Sequence, residues 1–197
     1  MFIQVISGKT SDPEAFARQG EKWQQEVRPG AIGFLGVTSG VTDDGRFIVI
    51  ARFDSAESAR ANNDRPEQGE WWAETEKVVD RAEFKDSTDI VTMLGGGKND
   101  AGFVQVMCGH TSNPARFKQI SRRFEDYLPY SRPEIIGGIT AFANDGRFVN
   151  TVYFESEKAA REAERHPRPP EIDALFVEFD ALMDEYLDLT DPLFDTA

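Results

Sequence analysis

Asp43-Asp44-Gly45-Arg46-Phe47 returns 101 residues later as Asn144-Asp145-Gly146-Arg147-Phe148. An Asp-Gly pair between apolar runs is the strongest short-range signal for a β-hairpin. A two-residue type I′ turn needs positive φ at both central positions, which glycine adopts freely and aspartate tolerates. The first copy therefore predicts a hairpin with arms Phe34 to Val41 and Arg46 to Phe53. The same offset relates Phe2-Ile3-Gln4-Val5 to Phe103-Val104-Gln105-Val106, and Gly8, Thr10, Pro13 and Phe16 to Gly109, Thr111, Pro114 and Phe117. Further on, Ala59-Arg60 and Pro66 match Ala160-Arg161 and Pro167. One constant offset across most of each half is the mark of a tandem duplication.

The 197 residues thus divide into two halves of ordinary small-domain size. Gly95-Gly96-Gly97-Lys98-Asn99-Asp100-Ala101-Gly102 has the composition of a flexible linker. No Lys-Ser/Thr pair leads from it into a helix, so it does not read as a phosphate loop. The expected repeats are 1–94 and 103–197, with 95–102 between them. Each begins with a strand. Asp12-Pro13 and Asn113-Pro114 then supply a cap and a first helical residue whose missing N–H costs nothing. Phe16, Gly20, Trp23 and Val27 share one helical face, as do Phe117, Ser121, Phe124 and Leu128. A bulky residue at Gly20 or Ser121 should push that helix off its sheet.

After the hairpin, Ser55 caps a short helix, a second helical stretch runs from Pro66 to Ala82, and Phe84 to Leu94 reads as the last strand. Its partner near Tyr186 to Leu189 aligns once the second half gains one residue, which sets Asp86 against Asp188. The order is β-α-β-β-α-β, ferredoxin-like, with helices on one face of each four-stranded sheet. Strands one and three are apolar on both parities, Ile3 and Val5 against Phe2 and Ile6, and Phe47, Val49 and Ala51 against Ile48 and Ile50, so both faces should be buried. The expected class is α+β: two tandem ferredoxin-like repeats packing sheet to sheet as an intramolecular dimeric α+β barrel.

Fifteen phenylalanines and 40% hydrophobic residues suit a folded core, and a formal net charge of −13 disfavours nucleic acid or an anionic membrane as partner. Cys108 is the only cysteine, so no intrachain disulfide can form. The first residues lack the basic and apolar pattern of a secretion signal, and no apolar run reaches membrane-spanning length. A cytoplasmic protein is expected, a pseudo-dimer within one chain that could also form a homodimer.

With the β-α-β-β-α-β order, the Asp-Gly hairpin and the segment Asn62-Asn63-Asp64-Arg65-Pro66-Glu67-Gln68-Gly69-Glu70-Trp71-Trp72 in view, the chain resembles the dimeric α+β barrel superfamily, and within it the antibiotic-biosynthesis-monooxygenase-like domains. The resemblance implies a short set of activities: oxygenation of phenolic polyketides and quinols without a cofactor, haem degradation, or rearrangement of small aromatics. Haem-degrading members carry an axial His on the last helix before strand four. The matching positions here are near Trp72 and Asp173, and His110 and His166 lie elsewhere, so no cofactor is expected.

Neither histidine has metal-ligand spacing, and Cys108 and His110 read as a strand-end coincidence. Gln4 and Gln105 recur in both copies, which favours a shared structural role. Residues peculiar to the first half mark the candidate ligand site. Trp23 and Trp72 would wall a cavity between helices and sheet, with Asn62 and Arg52 as polar handles, suited to a small planar aromatic ligand. The first expectation is a cofactor-independent monooxygenase acting on a phenolic or quinol substrate, although the sequence singles out no strong general base. The alternatives are a non-catalytic small-ligand-binding or stress-associated barrel, and an oligomer-forming module without a ligand.

Overall fold

The computed structural model describes residues 1–190 and 192–196, apart from the side chains of 171, 190, 195 and 196. In chain order it comprises β1 (Phe2–Lys9), α1 (Pro13–Lys22), β2 (Phe34–Val41), β3 (Arg46–Phe53), α2 (Ala56–Asn63), α3 (Pro66–Thr75), β4 (Asp80–Ser87) and β5 (Asp89–Met93). There follow β6 (Phe103–His110), α4 (Pro114–Ser131), β7 (Ile135–Phe142), β8 (Arg147–Phe154), α5 (Glu157–Ala163), α6 (Pro170–Asp180), β9 (Met183–Thr190) and β10 (Leu193–Thr196). Two compact units form. The first runs from Met1 to Thr88 and regains β10; the second begins at Asp89.

Each unit is an antiparallel sheet with helices, in the order β10-β2-β3-β1-β4 in the first and β5-β7-β8-β6-β9 in the second. The central registers recur at the 101-residue offset: Phe2 pairs with Phe53 and Phe103 with Phe154. The sheets have five strands, not the expected four. The run from Phe84 to Leu94 is two strands, because β4 meets β1 only as far as Ser87 opposite Ile3, one residue from the end of β1. The chain then pairs elsewhere, Asp89 opposite Phe142 through Met93 opposite Gly138. The boundary therefore falls at residue 88, ahead of the glycine run. The stretch expected to stay helical to Ala82 ends at Thr75, and the Val78 carbonyl accepts from the Thr10 hydroxyl at 2.7 Å.

The helix starts form as their caps dictate. Asp12 accepts from the Ala15 amide at 2.8 Å and Asn113 from the Arg116 amide at 3.0 Å. The two helices then part company. α4 runs unbroken to Ser131, whereas α1 widens after Lys22 into one π turn over Trp23–Val27 and a 3₁₀ turn over Arg28–Gly30. π turns inside helices are rare and gather at functional sites.

The two hairpins share one geometry, and it is not type I′. Only the glycines have positive φ, 78° at Gly45 and 86° at Gly146. The Gly45 amide donates to the Thr42 carbonyl at 2.9 Å and the Thr42 amide to the Arg46 carbonyl at 2.8 Å. This is a three-residue loop ending in a left-handed glycine, so the aspartates never need positive φ. A Cβ on Gly45 would stand 2.5 Å from the Thr10 carbonyl oxygen, and one on Gly146 2.5 Å from that of Thr111. We expect Gly146→Ala to cost roughly 1–3 kcal/mol from backbone strain, read as a shift in denaturant unfolding, with Gly45→Ala behaving alike.

Candidate functional site

Each unit has a cavity between its helices and its sheet. In the first, the odd-numbered residues of β3 (Phe47, Val49, Ala51) form the floor, with Phe16, Gly20 and Trp23 above and Asn62, Trp71 and Trp72 at the side. Its volume is about 100 Å³. Trp23 packs on Phe34 with ring centroids 4.9 Å apart, and Trp72 on Phe84 at 5.0 Å. Asn62 is 2% exposed; its amide donates to Gln68 Oε1 at 3.3 Å and its carbonyl accepts from Arg65 at 3.1 Å. Three of the four expected residues, Trp23, Asn62 and Trp72, therefore line one cavity.

Arg52 does not. Strand alternation sets it on the opposite face of β3 with Ile48 and Ile50, where its guanidinium donates to Thr38 Oγ1 at 3.1 Å. The expected shared role of the glutamines is visible in the bonds they make. Gln4 donates to Asp86 at 3.1 Å and Gln105 to Asp188 at 2.9 Å, the aspartates that the one-residue shift aligns. A Cβ on Gly20 would meet only the tip of Leu193, at 3.3 Å, so a small side chain fits there.

The second cavity is larger, about 320 Å³. Strands β6, β7 and β8 give its floor, and Phe124 and Leu128 of α4 with Phe176 and Phe179 of α6 its apolar walls. On the floor, Asn150 is 6% exposed, and its Oδ1 accepts from Thr140 Oγ1 at 2.8 Å. That bond fixes the amide so that Nδ2 faces only the thioether of Met107, at 4.0 Å, a weak acceptor. Four charged groups complete the lining: Arg132, Glu164, Arg168 and Asp180. Arg132 is buried in an ion pair with Glu134. Arg168 stacks 4.2 Å from the Phe176 ring and pairs with Asp173 at 3.2 Å.

Asp180 ends α6, and Tyr186 on β9 donates to its carboxylate at 3.4 Å. The residue stands exposed at the mouth, yet the walls take enough water from its carboxyl to push the pKa above the ordinary value, against the opposing pull of Arg168 and the Tyr186 bond. Tyr186 is pushed up in turn, first by burial and then by the neighbouring negative charge. Neither histidine lines either of these two cavities, so the residues around them offer no imidazole as an axial ligand for haem. Among the described residues no cluster of three His, Cys, Asp or Glu could hold a metal ion.

Size separates the two cavities. A dry cavity of roughly 150 Å³ takes up benzene. The first cavity falls short of that and cannot enclose fused rings, while the second has about twice the room. The expectation that the first half carries the aromatic site thus fails for any fused-ring ligand. The signal for the second cavity was present in the sequence: at the 101-residue offset Asn150 and Thr140 replace Val49 and Ser39. A hydroxyl stands in both copies at the position of Ser39 and Thr140, so the amide of Asn150 in place of Val49 is the polar change that marks the site.

No family model matches the chain, and no curated protein does. Solved structures do. A candidate monooxygenase from Fusobacterium nucleatum superposes with a TM-score of 0.76 at 8% identity, covering 99% of this chain and 94% of that one. One from Lactobacillus acidophilus gives 0.71 at 13% identity, with the same coverages. An anthrone oxidase-like protein gives 0.71 at 11% identity, covering 100% of this chain and 93% of its own. At such identities the likeness shows the fold alone, shared with these structures along the whole length of this chain.

Proposed function

We propose that the protein is a monooxygenase-like enzyme that oxidises a small phenolic or quinol-type aromatic with O₂ in the cavity of the second unit. The observation that carries this reading is a 320 Å³ aromatic-walled cavity holding a carboxyl of raised pKa at its mouth and an under-used amide donor on its floor. Asp180, once ionised, takes a proton from the hydroxylated ring. Asn150 Nδ2 donates to the oxyanion that develops, in a setting where the phenylalanines keep water away. The electron-rich ring then reacts with O₂ directly. One oxygen atom becomes a new ring carbonyl; the other leaves as water with the displaced ring hydrogen and the hydroxyl hydrogen. The ring supplies all four electrons, so the route asks for no further reductant.

Oxygen uptake with 1-naphthol, anthrone and hydroquinone tests the reading: saturable consumption is expected for at least one of them. Saturable binding without consumption would instead support a non-catalytic ligand-binding protein. That second reading is favoured by the carboxylates that already engage both cavity arginines, Glu134 on Arg132 and Asp173 on Arg168.

The raised pKa of Asp180 also has a consequence for stability. An acid whose pKa rises on folding is penalised when ionised, so the penalty is absent below its unfolded value near 3.8 and complete above its folded one. Asp180→Asn should therefore be at least as stable as the wild type at neutral pH, with the advantage fading towards about pH 4 in denaturant titrations.

A further inference from the structure

We infer that Tyr186 determines specificity in the second cavity: together with Asn150 it selects aromatic ligands with an oxygen at each end of the ring, para-diols over their ortho isomers. The inference rests on the reading of that cavity as the aromatic site. Backbone register carries it. Asn150 of β8 stands directly opposite Met107 of β6, and Met107 opposite Tyr186 of β9, so the three form one row across adjacent strands. Residues directly opposite one another in an antiparallel pair share a face of the sheet, and all three line the cavity. The matching row of the first unit is Val49, Ile6 and Phe84. Along that row the second unit has an amide, a thioether and a phenolic hydroxyl where the first has only hydrocarbon.

The two ends of the row offer different chemistry. On the floor, Asn150 Nδ2 is a donor held against a weak thioether acceptor, so it suits a ligand oxygen that accepts. At the mouth, the Tyr186 hydroxyl gives its hydrogen to Asp180 at 3.4 Å, which leaves the phenolic oxygen to accept from a ligand O–H. Met107, between them, competes little for hydrogen bonds, and its sulfur makes favourable contacts with aromatic rings. A ring laid along the row therefore rests on it. Neighbouring strands lie about 4.8 Å apart, which sets the backbones of Asn150 and Tyr186 roughly 10 Å from each other. That span fits a ring with para oxygens and a hydrogen bond at either end. Oxygens on adjacent carbons reach one end only.

Anaerobic calorimetry of the full-length protein with 1,4-dihydroxynaphthalene, its 1,2 isomer and 1-naphthol is the test, with no turnover to interfere. The two diols carry the same hydroxyls and differ only in where they point. The 1,4 diol should bind about tenfold more tightly than the 1,2 diol, the worth of one additional hydrogen bond. Tyr186→Phe installs the residue type that the first unit has in Phe84. In that variant the preference should vanish while 1-naphthol binds both proteins alike. Equal binding of the two diols by the wild type, a preference that Tyr186→Phe leaves intact, or no saturable binding of the 1,4 diol would each overturn the inference. Oxygen uptake separates it from the enzyme reading: a 1,4 preference without uptake removes only the enzyme, and uptake without the preference removes only this inference. The wild-type comparison decides even if the variant does not fold.

Discussion

Asp180→Asn lowers oxygen consumption with a phenolic substrate by about 10²–10⁴-fold, the usual loss when a positioned general base is removed. Asparagine keeps the size of the side chain and can still accept from Tyr186, so the loss reports on the proton and not on packing. The wild-type pH profile should carry the same signature. Activity rises with pH as Asp180 ionises, with a midpoint above 3.8, because its pKa is raised by burial. In Asp180→Asn that limb should disappear. A variant that keeps wild-type turnover and the same acid limb would remove Asp180 from the chemistry.

The second large effect is on stability. Phe117 is fully buried, with its ring 5.0 Å from Phe142, 4.7 Å from Phe148 and 5.2 Å from Phe179. It joins α4, the β7–β8 hairpin and α6 in one cluster that also holds Phe103, Met107 and Phe124. Phe117→Ala should cost about 3–5 kcal/mol, the transfer loss plus the cavity left behind. Its counterpart Phe16 is packed differently. It meets one ring, Phe47 at 4.7 Å, in a smaller cluster beside a cavity, so Phe16→Ala should cost distinctly less. Denaturant unfolding of the two variants checks the asymmetry. Equal losses would mean that the units are packed alike.

The architecture was legible because it rests on local chemistry repeated twice. Caps at Asp12 and Asn113, Pro at the next position, glycines at Gly45 and Gly146 and short apolar strands each act within a few residues. The hairpin arms fall where the sequence places them. Pairing partners were harder, since nothing in Asp89–Met93 says that β1 is exhausted at Ser87 and that β7 offers a free edge; that follows from strand lengths in three dimensions. The turn type was misread for a related reason. Asp-Gly fits two loop geometries, and the hydrogen bonds of Thr42 select the three-residue one.

At the candidate site, Trp23, Asn62 and Trp72 were recognised as neighbours because one repeat has them and the other does not. Arg52 was misplaced although its parity with Ile48 and Ile50 was already readable. Asn150 is a weaker signal, a single amide on an apolar strand face where the first copy has Val49, and Thr140 stands out little beside its counterpart Ser39. Asp180 gave no local signal whatever: a carboxylate at a helix end looks ordinary until Tyr186 and the cavity walls surround it.

A crystal structure of the protein soaked with 1-naphthol bears most directly on where the aromatic ligand sits. The ring should lie in the second unit between Phe124, Phe176 and Phe179, with its oxygen within hydrogen-bond distance of Asn150 Nδ2. A naphthol seated against Trp72 in the first unit, with the larger cavity unfilled at saturating ligand, would contradict this assignment.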